Sequence, residues 1–446
     1  MKKSIYNTTI AINNKSALLY NARSDKFTLL TKEASNFIKK NSADSIAKEN
    51  SKLFNDLVLI KALVNNNTNE SEILQNDIKA IIENNDEFEL HINPTLDCNF
   101  NCWYCYENHI KGSQMDERIV EATKNFISST IMQKKSSLKR FHLSFFGGEP
   151  LLYFNRIALP LINQTQDICN KHNISFSVHF TTNGFLLNEK ILNELKGINV
   201  SFQITLDGSK ESHDKTRFLK DGTGSYEKIC NNIKNIAQHK LCTCLRINYT
   251  SQNIESIASI VSSFNCIPLE SKKYINIDFQ RVWQDSDKDI TDNQRVEQTL
   301  AALFKDFRES GFNVSYHRVQ NSALFPCYGD KRNNVLINYD GNIYSCTARN
   351  FTPSNSEGTL LLNGDIQWKE DSKNKRIASK FSRAICHRCR IAPICGGGCT
   401  QLSLEAKDTE GCPRGLSEAD IDKLILDRFD FMFLSNDKEE AYTKHC

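Results

Sequence analysis

Residues 88–105 read FELHINPTLDCNFNCWYC: a strand-like run over 88–93, then a short loop carrying Cys98, Cys102 and Cys105. Three thiolates on a tight loop can hold three corners of a four-iron cluster, and the missing fourth ligand leaves one iron open. Zinc usually takes four protein ligands, arranged as two pairs, so three closely spaced cysteines fit it less well.

Outward from this stretch the pattern alternates strand with helix. Strands are expected over 88–93, 141–146, 175–182, 200–206, 243–250 and 275–281. Helical patterns lie between them; over 115–131, Ile119, Phe126 and Ile127 share a face, and Asp116 and Glu117 sit in the first turn. Six such units imply a parallel sheet, because parallel strands need long crossovers. The expected fold is α/β, a partial (β/α)6 TIM-like barrel. Upstream, β-like runs over 4–11, 17–20 and 27–30 lead into a helical pattern from Thr31, where Thr31 and Ser35 offer caps, and a second helix is expected over 70–82. The acidic stretch 83–87 reads as a linker. Beyond about residue 310 the periodicity breaks into hairpin-like pieces (335–345) and cysteine-rich loops, closing with an amphipathic helix over 417–433. With little contiguous apolar sequence there, bound metal should supply much of the folding energy.

The cysteine loop, its place after the first strand and the aromatic Tyr104 before the last cysteine resemble the radical S-adenosylmethionine superfamily. That resemblance implies a four-iron cluster on Cys98, Cys102 and Cys105 whose open iron chelates S-adenosylmethionine. Further strand ends carry the likeness on. Gly147-Gly148-Glu149-Pro150 resembles the family's GGEP element, which receives the methionine ammonium. Thr182-Asn183-Gly184 resembles its ribose-contacting element, and Leu206-Asp207-Gly208 a third. Arg217 and Asn248 are further candidates for the ligand's carboxylate or ribose, because barrel sites assemble at strand C-termini.

A second cysteine array begins at Cys327 and continues through Cys346, Cys386-x2-Cys389-x5-Cys395-x3-Cys399 and Cys412. It resembles the SPASM extension, which holds two auxiliary four-iron clusters. By that resemblance Cys386, Cys389, Cys395 and Cys412 ligate one of them, and Cys327, Cys346 and Cys399 the other. The last lacks a fourth cysteine between 267 and 326, leaving an open iron, a non-cysteine ligand or Cys446. A paired zinc ribbon is the competing reading. The resulting division is 1–86, an α+β, winged-helix-like module with leader-peptide recognition in view; 87–310, the radical barrel; and 311–446, the cysteine-rich extension.

SPASM enzymes act on peptides or proteins. The resemblance therefore implies a peptide maturase that takes a ribosomally made precursor peptide, with a flavodoxin- or ferredoxin-type electron donor. The product would be a thioether, a carbon–carbon or ether crosslink, or an epimer. A sulfatase-maturing enzyme is the alternative, although its catalytic Asp after the second SPASM cysteine is Thr347 here. A non-catalytic iron–sulfur scaffold or electron carrier is the alternative of a different class. No general base stands out; for epimerisation, Cys242, Cys244 and Cys266 are candidate hydrogen donors.

Composition narrows the classes further. Among 446 residues, 56 basic and 53 acidic side chains leave a net charge of +3, so no basic excess points to nucleic acid or to an anionic membrane. Residues 1–30 lack a signal-peptide apolar stretch, and no run of about 18 apolar residues reads as a spanning helix. Sixteen cysteines without a secretion signal suit metal or redox chemistry in a reducing, cytoplasmic setting. The six cysteines outside the two arrays (169, 230, 242, 244, 266 and 446) read first as small buried hydrophobes.

Overall fold

The structure, a computed structural model, describes residues 1–285, 290–315, 326–408 and 410–433. Those residues group into two compact units. One holds the described parts of 1–84, 317–332 and 373–441; the other holds the described parts of 85–316 and 333–372.

The second unit is built on one large sheet. Strands β1 (Glu87–Ile92), β2 (Arg140–Phe145), β3 (Ser175–Thr181), β4 (Asn199–Thr205), β5 (Cys242–Tyr249) and β6 (Ile275–Arg281) lie side by side and parallel. Each expected strand is present within a residue of its predicted ends. A three-residue strand, β7 (Asn313–Ser315), adds a seventh parallel neighbour beyond β6. It is too short to show a period of two in sequence. On the other side, β8 (Asn334–Ile337) pairs parallel with β1, and β9 (Asn342–Tyr344), β10 (Gly358–Leu360) and β11 (Ile366–Trp368) follow antiparallel. The hairpin expected over 335–345 thus continues the barrel sheet. The strand order has two ends, so this α/β barrel is partial.

Alternation along these strands divides the sheet's faces. Phe141, Leu143, Phe145, Phe180, Phe202 and Ile204 are fully buried with Ile127, Ile131, Leu161, Ile229 and Ile233 from the crossover helices. Phe145 stacks on Phe180 at 4.9 Å between ring centroids, and Phe180 on Phe202 at 5.9 Å. Burial of each such side chain is worth about 1.5–3 kcal/mol. The opposite face carries polar residues instead: His142 and Ser144 on β2, Ser177 and His179 on β3, Ser201 and Gln203 on β4, Arg246 and Asn248 on β5. Polar side chains on that face leave its C-terminal end available for a site.

The first unit opens with an antiparallel sheet of Asn7–Ala11, Ser16–Asn21 and Lys26–Thr31, followed by helices Lys32–Lys40, Ala43–Glu49, Ser51–Leu59 and Glu70–Ile82. Thr31 caps the first helix by accepting from the amide of Ala34 at 3.1 Å, whereas Ser35 lies buried inside it. The helices over 43–59 carry caps of their own, Ser42 and Asn50, but were too short to stand out as a period. Tyr6, Tyr20, Leu74, Ile78 and Ile82 share one core with Phe381, Ile391, Ile394, Ile421, Leu424 and Ile425. The N-terminal module and the cysteine-rich C-terminal part therefore fold around common apolar side chains. Among the described residues no helix is long and apolar enough to cross a membrane.

Candidate functional site

The loop after β1 is shaped by its own polar side chains. Asp97 accepts from the amide of Cys98 and from the amide of Gly112, each at 2.8 Å, and pairs with Lys220 at 2.8 Å. Burial opposes its charge, but these partners hold its carboxyl below the usual carboxylate range. Thr95 and Ser113 brace the base of the loop through the amides of Asp97 and Leu96.

The end of β2 meets this loop through bare backbone. The amide of Gly148 donates to Thr95 O at 3.0 Å and that of Glu149 to Asp97 O at 2.8 Å. A Cβ on Gly147 would stand 2.3 Å from Thr95 O, and one on Gly148 would stand 2.1 Å from Asp97 O. The glycines are thus required by the close approach of the cysteine loop. Gly147 also has φ +101°, open to glycine without strain.

Glu149 is fully buried and does not line the cavity. Its Oε1 accepts from Thr182 Oγ1 at 2.6 Å and from the amide of Leu151 at 3.0 Å; its Oε2 accepts from the amide of Asn183 at 2.8 Å. Burial raises its pKa, opposed by those hydrogen bonds. It works as a strut that fixes the end of β3. Asn183 in turn donates to Asn99 Oδ1 at 2.8 Å, within the cysteine loop.

A second network centres on Tyr104. Its hydroxyl donates to Asp207 and accepts from Arg217 at 2.7 Å and from Asn248 at 3.1 Å. Asp207 lies buried at the end of β4, where burial raises its pKa while Arg217 opposes the rise. Arg217 stands over the Phe100 ring at 5.7 Å, and its Nε is buried without a partner among the described residues.

Cys98, Cys102, Cys105, Tyr104, Gly147, Gly148, Thr182, Asn183, Arg217 and Asn248 all line one cavity of about 170 Å³. Asp207 and Glu149 support it from behind. Residues not singled out in the sequence line it as well: Phe100, Glu107, His109, Gln203, Thr205, Arg246, Arg281 and Trp283. Arg246 could have been read from its position two residues before Asn248 on one strand face, but Glu107 and Trp283 carry no periodic or motif signal. Glu107 is pushed up to about 8 by burial, and its Oε1 lacks a partner among the described residues. Burial pushes the Cys98 thiol up to about 12 and the Cys105 thiol up to about 11. Three sulfurs on one cavity wall, beside unspent polar groups on Arg217, Arg281 and Glu107, suit an iron–sulfur cluster with a polar ligand next to it.

The first unit holds the other array. Cys386, Cys389, Cys395 and Cys412 border a cavity of about 470 Å³. Burial and the three neighbouring thiols push Cys386 up to about 11. Four thiols around one space could hold a cluster completely. Cys327 and Cys399 also belong to this unit, whereas Cys346 belongs to the other; Cys446 lies outside the described residues. Among the described residues, no three His, Cys, Asp or Glu side chains converge closely enough to hold a single metal ion.

The class defined by this fold and site is a partial-barrel α/β protein with a three-cysteine loop at the C-terminal end of its first barrel strand. Residues 92–263 match the radical SAM superfamily profile, and the chain carries a radical SAM domain. The radical SAM cyclopropyl synthase TigE of Paramaledivibacter caminithermalis is 32% identical over 150 residues, 31% of this chain and 30% of that protein. A cysteine-type anaerobic sulfatase-maturating enzyme of Clostridium novyi is 30% identical over 165 residues, 36% of this chain and 44% of its own. The chain thus matches less than half the length of either. Among solved structures, Streptococcus suis SuiB bound to S-adenosylmethionine superposes with a TM-score of 0.53 at 16% identity, covering 93% of this chain and 100% of SuiB.

Proposed function

We propose that this chain is a radical S-adenosylmethionine enzyme of the SPASM type that modifies a ribosomally made precursor peptide. The observation that carries the reading is the shared cavity, in which Cys98, Cys102 and Cys105 face Tyr104, Thr182, Asn183, Arg217 and Asn248. When bound, the cluster supplies the low-potential electron that cleaves S-adenosylmethionine into methionine and a 5′-deoxyadenosyl radical. The thiolates of Cys98, Cys102 and Cys105 would hold it, with room beside them for the amino and carboxylate groups of S-adenosylmethionine. Arg217 and Asn248, held by the Tyr104 hydroxyl, present donors to the ligand, while Glu149 orients Thr182 and Asn183. Arg246 and Arg281 on the wall offer further donors to ligand or substrate.

A peptide substrate is supported by SuiB, also solved with its precursor peptide SuiA, and by the outer strands of the N-terminal sheet. Asn7–Ala11 and Lys26–Thr31 each pair on one side only among the described residues, the geometry for adding a peptide strand. An auxiliary cluster on Cys386, Cys389, Cys395 and Cys412 would accept the surplus electron or bind a substrate thiolate. Sulfatase maturation remains the second reading, favoured by the Clostridium novyi relative.

Incubating the anaerobically reconstituted chain with reductant and S-adenosylmethionine should release 5′-deoxyadenosine, and Cys98→Ala should release none. A reconstituted chain that yields none would refute the enzyme reading in favour of a scaffold or electron carrier. Mass change in a co-expressed precursor peptide, set against formylglycine formation in a sulfatase peptide, separates the two substrate readings.

A further inference from the structure

Next to the four-cysteine site of the first unit lies a buried cation whose donors are only partly satisfied among the described residues. Arg383 is 7% exposed and precedes the short helix Ala384–His387, which carries Cys386. The amide of Cys386 donates to Arg383 O at 3.0 Å, and Arg383 Nη1 donates to the carbonyl of Gly411, next to Cys412, at 2.8 Å. Arg383 therefore contacts two ligand-bearing loops, one through its backbone carbonyl and the other through its guanidinium. Its Nη2 is buried with no hydrogen-bond partner among the described residues. The carboxylate that feels its charge, Asp408, is exposed and spends its oxygens on the amides of Glu410 and Gly411.

A guanidinium stays protonated at any accessible pH, so Arg383 cannot escape burial by neutralising. A buried donor without an acceptor costs about 1–3 kcal/mol, and more when it is charged. The cavity lined by Ala384, the chain neighbour of Arg383, presents the thiols of Cys386, Cys389, Cys395 and Cys412, which become thiolates on binding metal, and the carboxylate of Glu418, which is already paired with Arg390 at 2.7 Å.

We propose that Arg383 sets the reduction potential of an iron–sulfur cluster at this site, its Nη2–H donating to a ligand sulfur and its fixed charge favouring the reduced cluster. Hydrogen bonds to the sulfurs and net charge are established levers on such potentials. The inference rests on the reading of these four cysteines as cluster ligands.

The test is a dithionite titration of the full chain in a Cys98→Ala/Cys102→Ala/Cys105→Ala background, followed by electron paramagnetic resonance and iron analysis. The signal belonging to this site is the one lost in Cys386→Ala/Cys389→Ala. Arg383→Gln should keep its iron while the reduction equilibrium constant falls about tenfold, a midpoint shift of about 59 mV for one electron. Arg383→Lys, which keeps the charge but not the fork, should fall between it and the parent. A loaded variant of either kind with the parent's midpoint overturns the proposal. Loss of the cluster from both variants also overturns it, since Arg383 would then be only a structural tie. If Cys386→Ala/Cys389→Ala removes neither iron nor signal, the cluster reading itself falls and Arg383's role falls with it.

Discussion

Single polar atoms of two residues, Tyr104 and His213, decide much of the chemistry around the cavity. The Tyr104 hydroxyl satisfies Asp207, Arg217 and Asn248 together. Tyr104→Phe leaves two charged groups short of a partner and should cost about 1–3 kcal/mol, read as a lower urea midpoint. It should also weaken S-adenosylmethionine binding while the iron content stays unchanged; unaltered affinity would remove Tyr104 from the ligand-positioning set. His213, fully buried, accepts the amide of Asp207 on Nδ1 at 3.2 Å and donates from Nε2 to Ser225 Oγ at 2.9 Å. Burial, reinforced by Arg217, lowers its pKa from 6.5 to about 3. The unfolded chain therefore takes up a proton near pH 6.5 that the folded chain refuses until about pH 3. Stability is intact above pH 6.5 and falls by up to about 1.4 kcal/mol per pH unit on acidification toward pH 3. Thermal melts of His213→Gln should start lower at pH 8 and show a shallower loss between pH 6.5 and 5. A slope matching the parent's would assign the acid sensitivity elsewhere.

At the scale of elements, the decisive event is the joint between the end of β2 and the cysteine loop. Gly148→Ala places a methyl 2.1 Å from Asp97 O, which backbone cannot accommodate without moving the loop. The variant should lose most of the iron held near Cys98 while the strands, judged by far-ultraviolet circular dichroism, persist. Iron content equal to the parent's would show that the loop can shift without cost. The strands themselves were legible because alternation of apolar and polar residues survives six times over, and the cysteine loop because its spacing is local. Glu149 was legible as a motif residue but not as a strut, since its partners Thr182 and Asn183 lie on another strand. Arg246 and Trp283 were not singled out for the same reason: only β5 and the turn after β6 bring them to the cavity.

At the scale of the molecule, each unit gathers segments distant in sequence. In the first unit, Ile78 lies in one core with Ile391, Ile394, Ile421 and Leu424. Arg428, 8% exposed, pairs with Asp25, whose pKa stays below the usual value because the guanidinium outweighs the cost of burial. Ile78→Ala should cost about 2–5 kcal/mol. Hydrogen exchange should then quicken together in residues 74–82, 391–394 and 421–425. Quickening confined to 74–82 would mean that the two ends fold independently.

The sequence alone determined the βα alternation, the three-cysteine loop and the second cysteine array. Each is a local pattern in which residues a few positions apart already share a face or a loop. Tertiary structure alone decided that residues 334–368 extend the barrel sheet, that both chain ends share a core, and that Glu149 and Asp207 stand behind the cavity wall. Those outcomes depend on contacts between residues far apart in the chain, whose apolar and polar character is visible in sequence while their partners are not.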